Sequence, residues 1–99
     1  MSNQPDRVNL SIERAIMKAS SLSHEYVTLE HLLYAIIEED DVSDLLGKIG
    51  VDIGQVAEEL EDYLGSRDDI TVPGLEDAPR KTLSLDRVFN RAVTQVIFS

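Results

Sequence analysis

The chain has 99 residues, which allows one modest hydrophobic core and one domain at most. Nine Lys plus Arg against 19 Asp plus Glu give a net charge of −10 and a pI of about 4.4, which argues against a nucleic-acid binder and against docking on anionic lipid. With no cysteine there is no disulfide, no thiol nucleophile and no Cys-based zinc site, and the longest apolar run, residues 32–37, is far too short for a membrane span.

Residues 1–9 are polar, lack the apolar centre of a signal peptide, and are expected to form a flexible N-terminus. From there apolar residues recur at helical spacing. Ile12, Ala15, Ile16 and Ala19 make the first stripe, with Ser11 as its expected N-cap. Leu29, Leu32, Leu33, Ile36 and Ile37 make the second, capped by Thr28. Val42, Leu45, Leu46 and Ile49 form the third, with Asp40 or Asp41 at its start and Gly50 as a left-handed stop. Ile53, Val56, Ala57, Leu60 and Leu64 follow, opened by the capping-box pair Asp52 and Gln55 and ended by Gly65. Residues 66–82 carry Pro73-Gly74, Pro79 and several carboxylates, which oppose helix, so they are expected to form an acidic linker loop. A fifth stripe, Leu85, Val88, Phe89, Ala92 and Val96, starts after Ser84. No segment alternates with period two between turn residues. The fold class is all-α, with the four helices of residues 10–65 packed as one compact unit.

Residues 10–19, LSIERAIMKA, return at residues 83–92 as LSLDRVFNRA. Leu, Ser, Arg and Ala are identical at four positions, five further pairs are conservative, and only Met17 against Asn90 departs. The match takes in the polar face as well as the core stripe, which points to tandem duplication rather than to two generic amphipathic helices. On this reading residues 83–99 are the first helix of a second, incomplete repeat. Apolar surface left uncovered on it would favour self-association.

These residues resemble the N-terminal domain of Clp-type AAA+ unfoldases of the ClpA and ClpC kind. Residues 11–19 are similar to that family's first helix. His24-Glu25 followed by Thr28-Leu29-Glu30-His31-Leu32-Leu33 resembles its signature turn and second helix. Val51-Asp52 is similar to the entry to the fourth helix, and Thr82-Leu83-Ser84 with Arg87-Val88 and Arg91-Ala92 to the start of the second repeat. The resemblance implies a pseudo-twofold pair of four-helix repeats joined by a loop. It also implies a cytoplasmic platform on an ATPase ring that works with a Clp peptidase and receives protein substrates and a ClpS-like adaptor. Carried over position by position, the adaptor-binding residues would be Glu25, Glu30, Thr82, Arg87 and Arg91. In the ClpC branch a carboxylate matched by Glu30 holds phosphorylated arginine, although the pattern elsewhere fits ClpA slightly better. The chain departs from the family in lacking most of the second repeat and an ATPase module.

Catalysis and cofactors find little support in the residues. No G-x-x-x-x-G-K-[ST] phosphate loop is present, so ATP-driven work would lie outside these residues. The two histidines, His24 and His31, are read as local hydrogen-bonding or packing residues. With Glu25 they offer ligand types that zinc accepts, but the H-E-x-x-H spacing is absent and no metal or other cofactor is assigned. An EF-hand starting at Asp41 fails because Ser43 and Leu45 take the third and fifth positions. Neither Ser43 nor Ser84 sits in the Asp-Ser-Leu turn of an acyl carrier, and the charge opposes a helix-turn-helix DNA reader. The competing readings are a free-standing acidic helical interaction module and, less well supported, a small metal-binding protein.

Overall fold

The computed structural model describes the backbone of residues 4–98 and the side chains of residues 10–88, 90 and 91. The elements run α1 (Gln4–Ser21), β1 (Tyr26–Val27), α2 (Leu29–Ile37), α3 (Asp40–Lys48), α4 (Ile53–Gly65), a single 3-10 turn (Asp68–Ile70), β2 (Arg80–Lys81) and α5 (Leu83–Phe98). Helix dominates, as the apolar periodicity predicts.

α1 begins at Gln4, well before the expected cap. Ser11 is therefore a buried interior residue, and its hydroxyl donates to Glu39 Oε1 at 2.9 Å, tying α1 to the start of α3. The helix ends in a Schellman motif. Ser23 adopts φ 57°, its N–H bonds the Ser20 carbonyl at 3.0 Å, and the His24 N–H bonds the Ala19 carbonyl at 2.9 Å. α3 ends the same way on Gly50 at φ 92°, with Gly50 N–H on the Gly47 carbonyl and Val51 N–H on the Leu46 carbonyl. Gly50 performs the expected left-handed stop, whereas Ser23 performs it without a glycine to announce it.

The remaining caps follow the same local chemistry. Thr28 opens α2, Glu39 rather than Asp40 or Asp41 precedes α3, and Asp52 Oδ1 accepts from the Gln55 N–H at 3.1 Å at the head of α4. α5 starts one residue before Ser84, and its cap is Thr82, whose Oγ1 accepts from the Leu85 N–H at 3.2 Å.

Residues 66–82 are not structureless. Glu25 N–H bonds the Ile70 carbonyl, Val72 N–H bonds the Ser23 carbonyl, and β2 lies parallel to β1 with Tyr26 opposite Arg80 and Val27 opposite Lys81. Among the described residues this two-residue pair is the only named sheet. The strands are too short to produce a period-two signal, which is why the sequence shows only a loop there.

The core gathers Ile12, Ala15 and Ala19 of α1, Val27 of β1, Ala35 of α2 and Leu85 of α5, with Ile16 and Leu32 against it. Ile12 and Leu85 occupy equivalent positions in the repeated decapeptide, and both are buried in this one cluster. α4 carries the fully buried Leu64, and the 3-10 turn adds Ile70. Several stripe residues are less buried than the periodicity predicts. Leu29, Leu33 and Val88 are exposed, and α3 buries nothing completely, with Leu45 and Ile49 more than 60% exposed. The side chains of Phe89, Ala92 and Val96 lie outside the described residues.

Candidate docking surface

Local hydrogen bonding fixes the turn between α1 and α2. Glu25 is held through its backbone on both sides, donating to Ile70 at 2.8 Å and accepting from the Arg80 N–H at 3.0 Å. Its side chain, with Tyr26, Leu75, Asp77, Ala78 and Arg80, lines a shallow cavity of about 220 Å³ at the joint of β1 and β2. Thr82 continues that joint, its N–H bonding the Val27 carbonyl at 3.0 Å while its hydroxyl caps α5. Glu25 and Thr82 thus flank the pair, Glu25 directly before β1 and Thr82 between β2 and α5. Arg87 and Arg91 are exposed on α5, whose opposite side sends Leu85 into the core.

Glu30 lies in the first turn of α2, where a carboxylate is favoured by the helix dipole. Its Oε1 stands 3.7 Å from Arg67 Nη1. Arg67 is the centre of a small network: Nε and Nη2 donate to the two carboxylate oxygens of Asp69 at 2.8 and 2.9 Å, and Nη1 donates to the Tyr63 hydroxyl at 2.9 Å. The paired Asp69 holds the guanidinium's pKa above its ordinary value, and the guanidinium holds the Asp69 carboxyl below its own. Sequence reasoning missed Arg67. The available signal was that it is the one cation between Lys48 and Arg80, set four residues after Tyr63 and two before Asp69.

Behind this surface lies a buried pair of imidazoles. His24 Nδ1 and His31 Nε2 are 2.8 Å apart, with the rings edge to face at 77°. Thr28 donates its N–H to His31 Nδ1 at 2.9 Å, and its hydroxyl lies 2.8 Å from the same nitrogen. His31 thus takes the third position of a capping box, which Glu or Gln normally fills. Burial, then the neighbouring His24, Arg67 and Lys18, lower the His31 pKa to about 4. Burial and Arg67 lower that of His24. Both histidines are hydrogen-bonding residues as expected: they bond each other, and His31 also takes the Thr28 N–H.

A third cluster ties α1, α2 and α4 together. Lys18 Nζ pairs with Glu61 and sits 4.5 Å above the Tyr34 ring. The hydrogen bond to Glu61 is the main cause that pushes the Tyr34 hydroxyl up to about 12. Among the described residues no helix is long and apolar enough to cross a membrane.

Comparison with known proteins adds two findings. Residues 5–97 match the family described as the Clp repeat (R) N-terminal domain. A ClpA homolog protein from Fuscovulum blasticum is 34% identical over 91 residues, which take in 87% of this chain and 11% of the relative, so the chain spans only a small part of that relative's length.

Proposed function

Because the chain belongs to the family of Clp repeat N-terminal domains, we propose that it is the adaptor- and substrate-docking platform of a cytoplasmic Clp-type AAA+ unfoldase that feeds a Clp peptidase, with no catalysis in these residues. Residues 10–65 would be the first repeat, residues 66–82 the connection between repeats, and residues 83–99 the opening helix of the second. The observation that carries the proposal is the β1–β2 joint. It hydrogen-bonds the segment that follows Glu25 to the segment that leads through Thr82 into α5, which supports a surface built from both halves of the chain. Glu25, Glu30, Thr82, Arg87 and Arg91 are the contact residues proposed there. Thr82 contributes mainly through its cap, because its hydroxyl is already engaged.

Calorimetry against a ClpS-like adaptor at two salt concentrations tests this. Glu30→Gln is preferable to charge reversal, since a lysine there would confront Arg67. Glu30→Gln and Arg87→Glu are each expected to weaken binding about tenfold, roughly 1.4 kcal/mol, with the melting temperature retained. Glu59→Gln on α4 and Lys48→Glu on α3 control for net charge. Losses no greater than those of the controls mean that the patch lies elsewhere.

A further inference from the structure

We propose that His24 and His31 form an acid-sensitive latch, a one-directional relay of hydrogen bonds that locks the start of α2 to the turn that ends α1 only while both rings are neutral. The inference is independent of what docks on the surface above it.

The direction of the relay follows from its ends. A backbone N–H can only donate, so the Thr28 N–H requires a lone pair on His31 Nδ1. The neutral His31 ring then carries its proton on Nε2 and donates it to His24 Nδ1. Because His24 Nδ1 accepts that proton, the neutral His24 ring carries its own proton on Nε2. Both lone-pair nitrogens are consumed and both tautomers are fixed. A second proton on His24 would point at the His31 N–H. A second proton on His31 could turn to the Thr28 hydroxyl, but only by leaving the buried Thr28 N–H without its acceptor.

The surroundings reinforce the neutral state. His24 and His31 are 1% and 0% exposed, so a charge on either is unsolvated. The charged groups facing them are Lys18 from α1 and Arg67 just before the 3-10 turn, both cations, with Asp69 of that turn as the opposing carboxylate. Asp69 is itself held by Arg67. Charging either ring therefore breaks a bond and adds a third cation to the cluster. The elements released are the Thr28 cap and the turn carrying Glu25.

The test is NMR of the intact chain. At pH 7 the imidazole nitrogen-15 shifts should place the proton on Nε2 in both rings. On acidification both rings should stay neutral below pH 6, and they should titrate together with the Thr28 amide shift. A proton on Nδ1 of either ring, or titration of either near pH 6.5 without a change at Thr28, overturns the latch. His31→Gln supplies an amide that can accept from Thr28 and donate to His24 but cannot be protonated in this range, and it leaves every carboxylate in place. In that variant the acid midpoint of the Thr28 amide should fall by about one pH unit. An unchanged midpoint also overturns the proposal, and if the variant fails to fold, the tautomer and titration results on the unaltered chain decide.

Discussion

The imidazole of His31 sets the acid side of stability. Its pKa is lowered to about 4 in the folded chain against 6.5 when unperturbed, so between these values the unfolded chain binds the proton and the folded chain does not. Its contribution is complete above pH 6.5 and is lost progressively as the pH falls to about 4. His24 acts in the same direction. Glu61 does not share that window: its pKa is lowered from 4.5, chiefly by the hydrogen bond from Lys18, so its contribution is complete above 4.5 and is lost only as the pH falls below that value. The melting temperature at constant ionic strength should therefore already decline between pH 6.5 and 5, before the carboxylates titrate. The buried histidines account for a loss on the order of 1–3 kcal/mol by pH 4. A flat profile down to pH 5 would contradict the burial and pairing of these rings. The two histidines could be read in advance as hydrogen-bonding residues, but not as partners. The turn that apposes them rests on Ser23 in a left-handed conformation, which serine does not signal.

Two helices end in the same motif with different residues at its left-handed position, and this gives a paired prediction. At Gly50, φ 92°, a Cβ would meet nothing within 4 Å, so Gly50→Ala carries only the backbone penalty. The cost should be about 1 kcal/mol, the left-handed penalty less the entropy gained in the unfolded chain. Ser23, φ 57°, already bears that penalty, so Ser23→Gly should stabilise by up to about 0.5 kcal/mol. Urea unfolding of both variants checks the opposite signs, and two losses would show that the Ser23 side chain supports the turn. At the scale of elements the periodicity located all five helices because each has a stripe to bury. It misplaced the start of α1 because residues 4–9 are mostly polar, and it starts the fifth stripe after Ser84, two residues beyond the Thr82 that caps α5. It also overstated burial on α3, since a stripe shows that a face is apolar and not that a neighbour covers it. Leu45 and Ile49 have no such cover among the described residues.

For the whole molecule, the residues proposed for docking were individually legible only through family resemblance. The backbone pairing that joins the Glu25 turn to the root of α5 is one that no local pattern reveals. Glu30 illustrates the gap. The sequence shows a carboxylate in a first helical turn, whereas the fold places it within 3.7 Å of Arg67, contributed by a segment that reads as an acidic loop. The same holds for the histidine pair, which brings the turn after α1 onto the Thr28 cap of α2.

The parallel pairing of β1 with β2 also constrains the order in which the chain assembles. Two residues on each side cannot persist as an isolated sheet, and their partners come from opposite halves of the chain, so closing that contact early would be entropically expensive. The helices α1, α2 and α4 can dock through shorter connections, and only their joined ends present the Val27 carbonyl that Thr82 seeks. The joint is thus expected to form after the rate-limiting step. Thr82→Ala, which removes the cap of α5 at a cost of about 1 kcal/mol, should leave the refolding rate nearly unchanged and speed unfolding roughly fivefold. Stopped-flow chevrons would show one displaced limb. Slower refolding would mean that the root of α5 belongs to the folding nucleus, and that the chain closes its ends before it completes its middle.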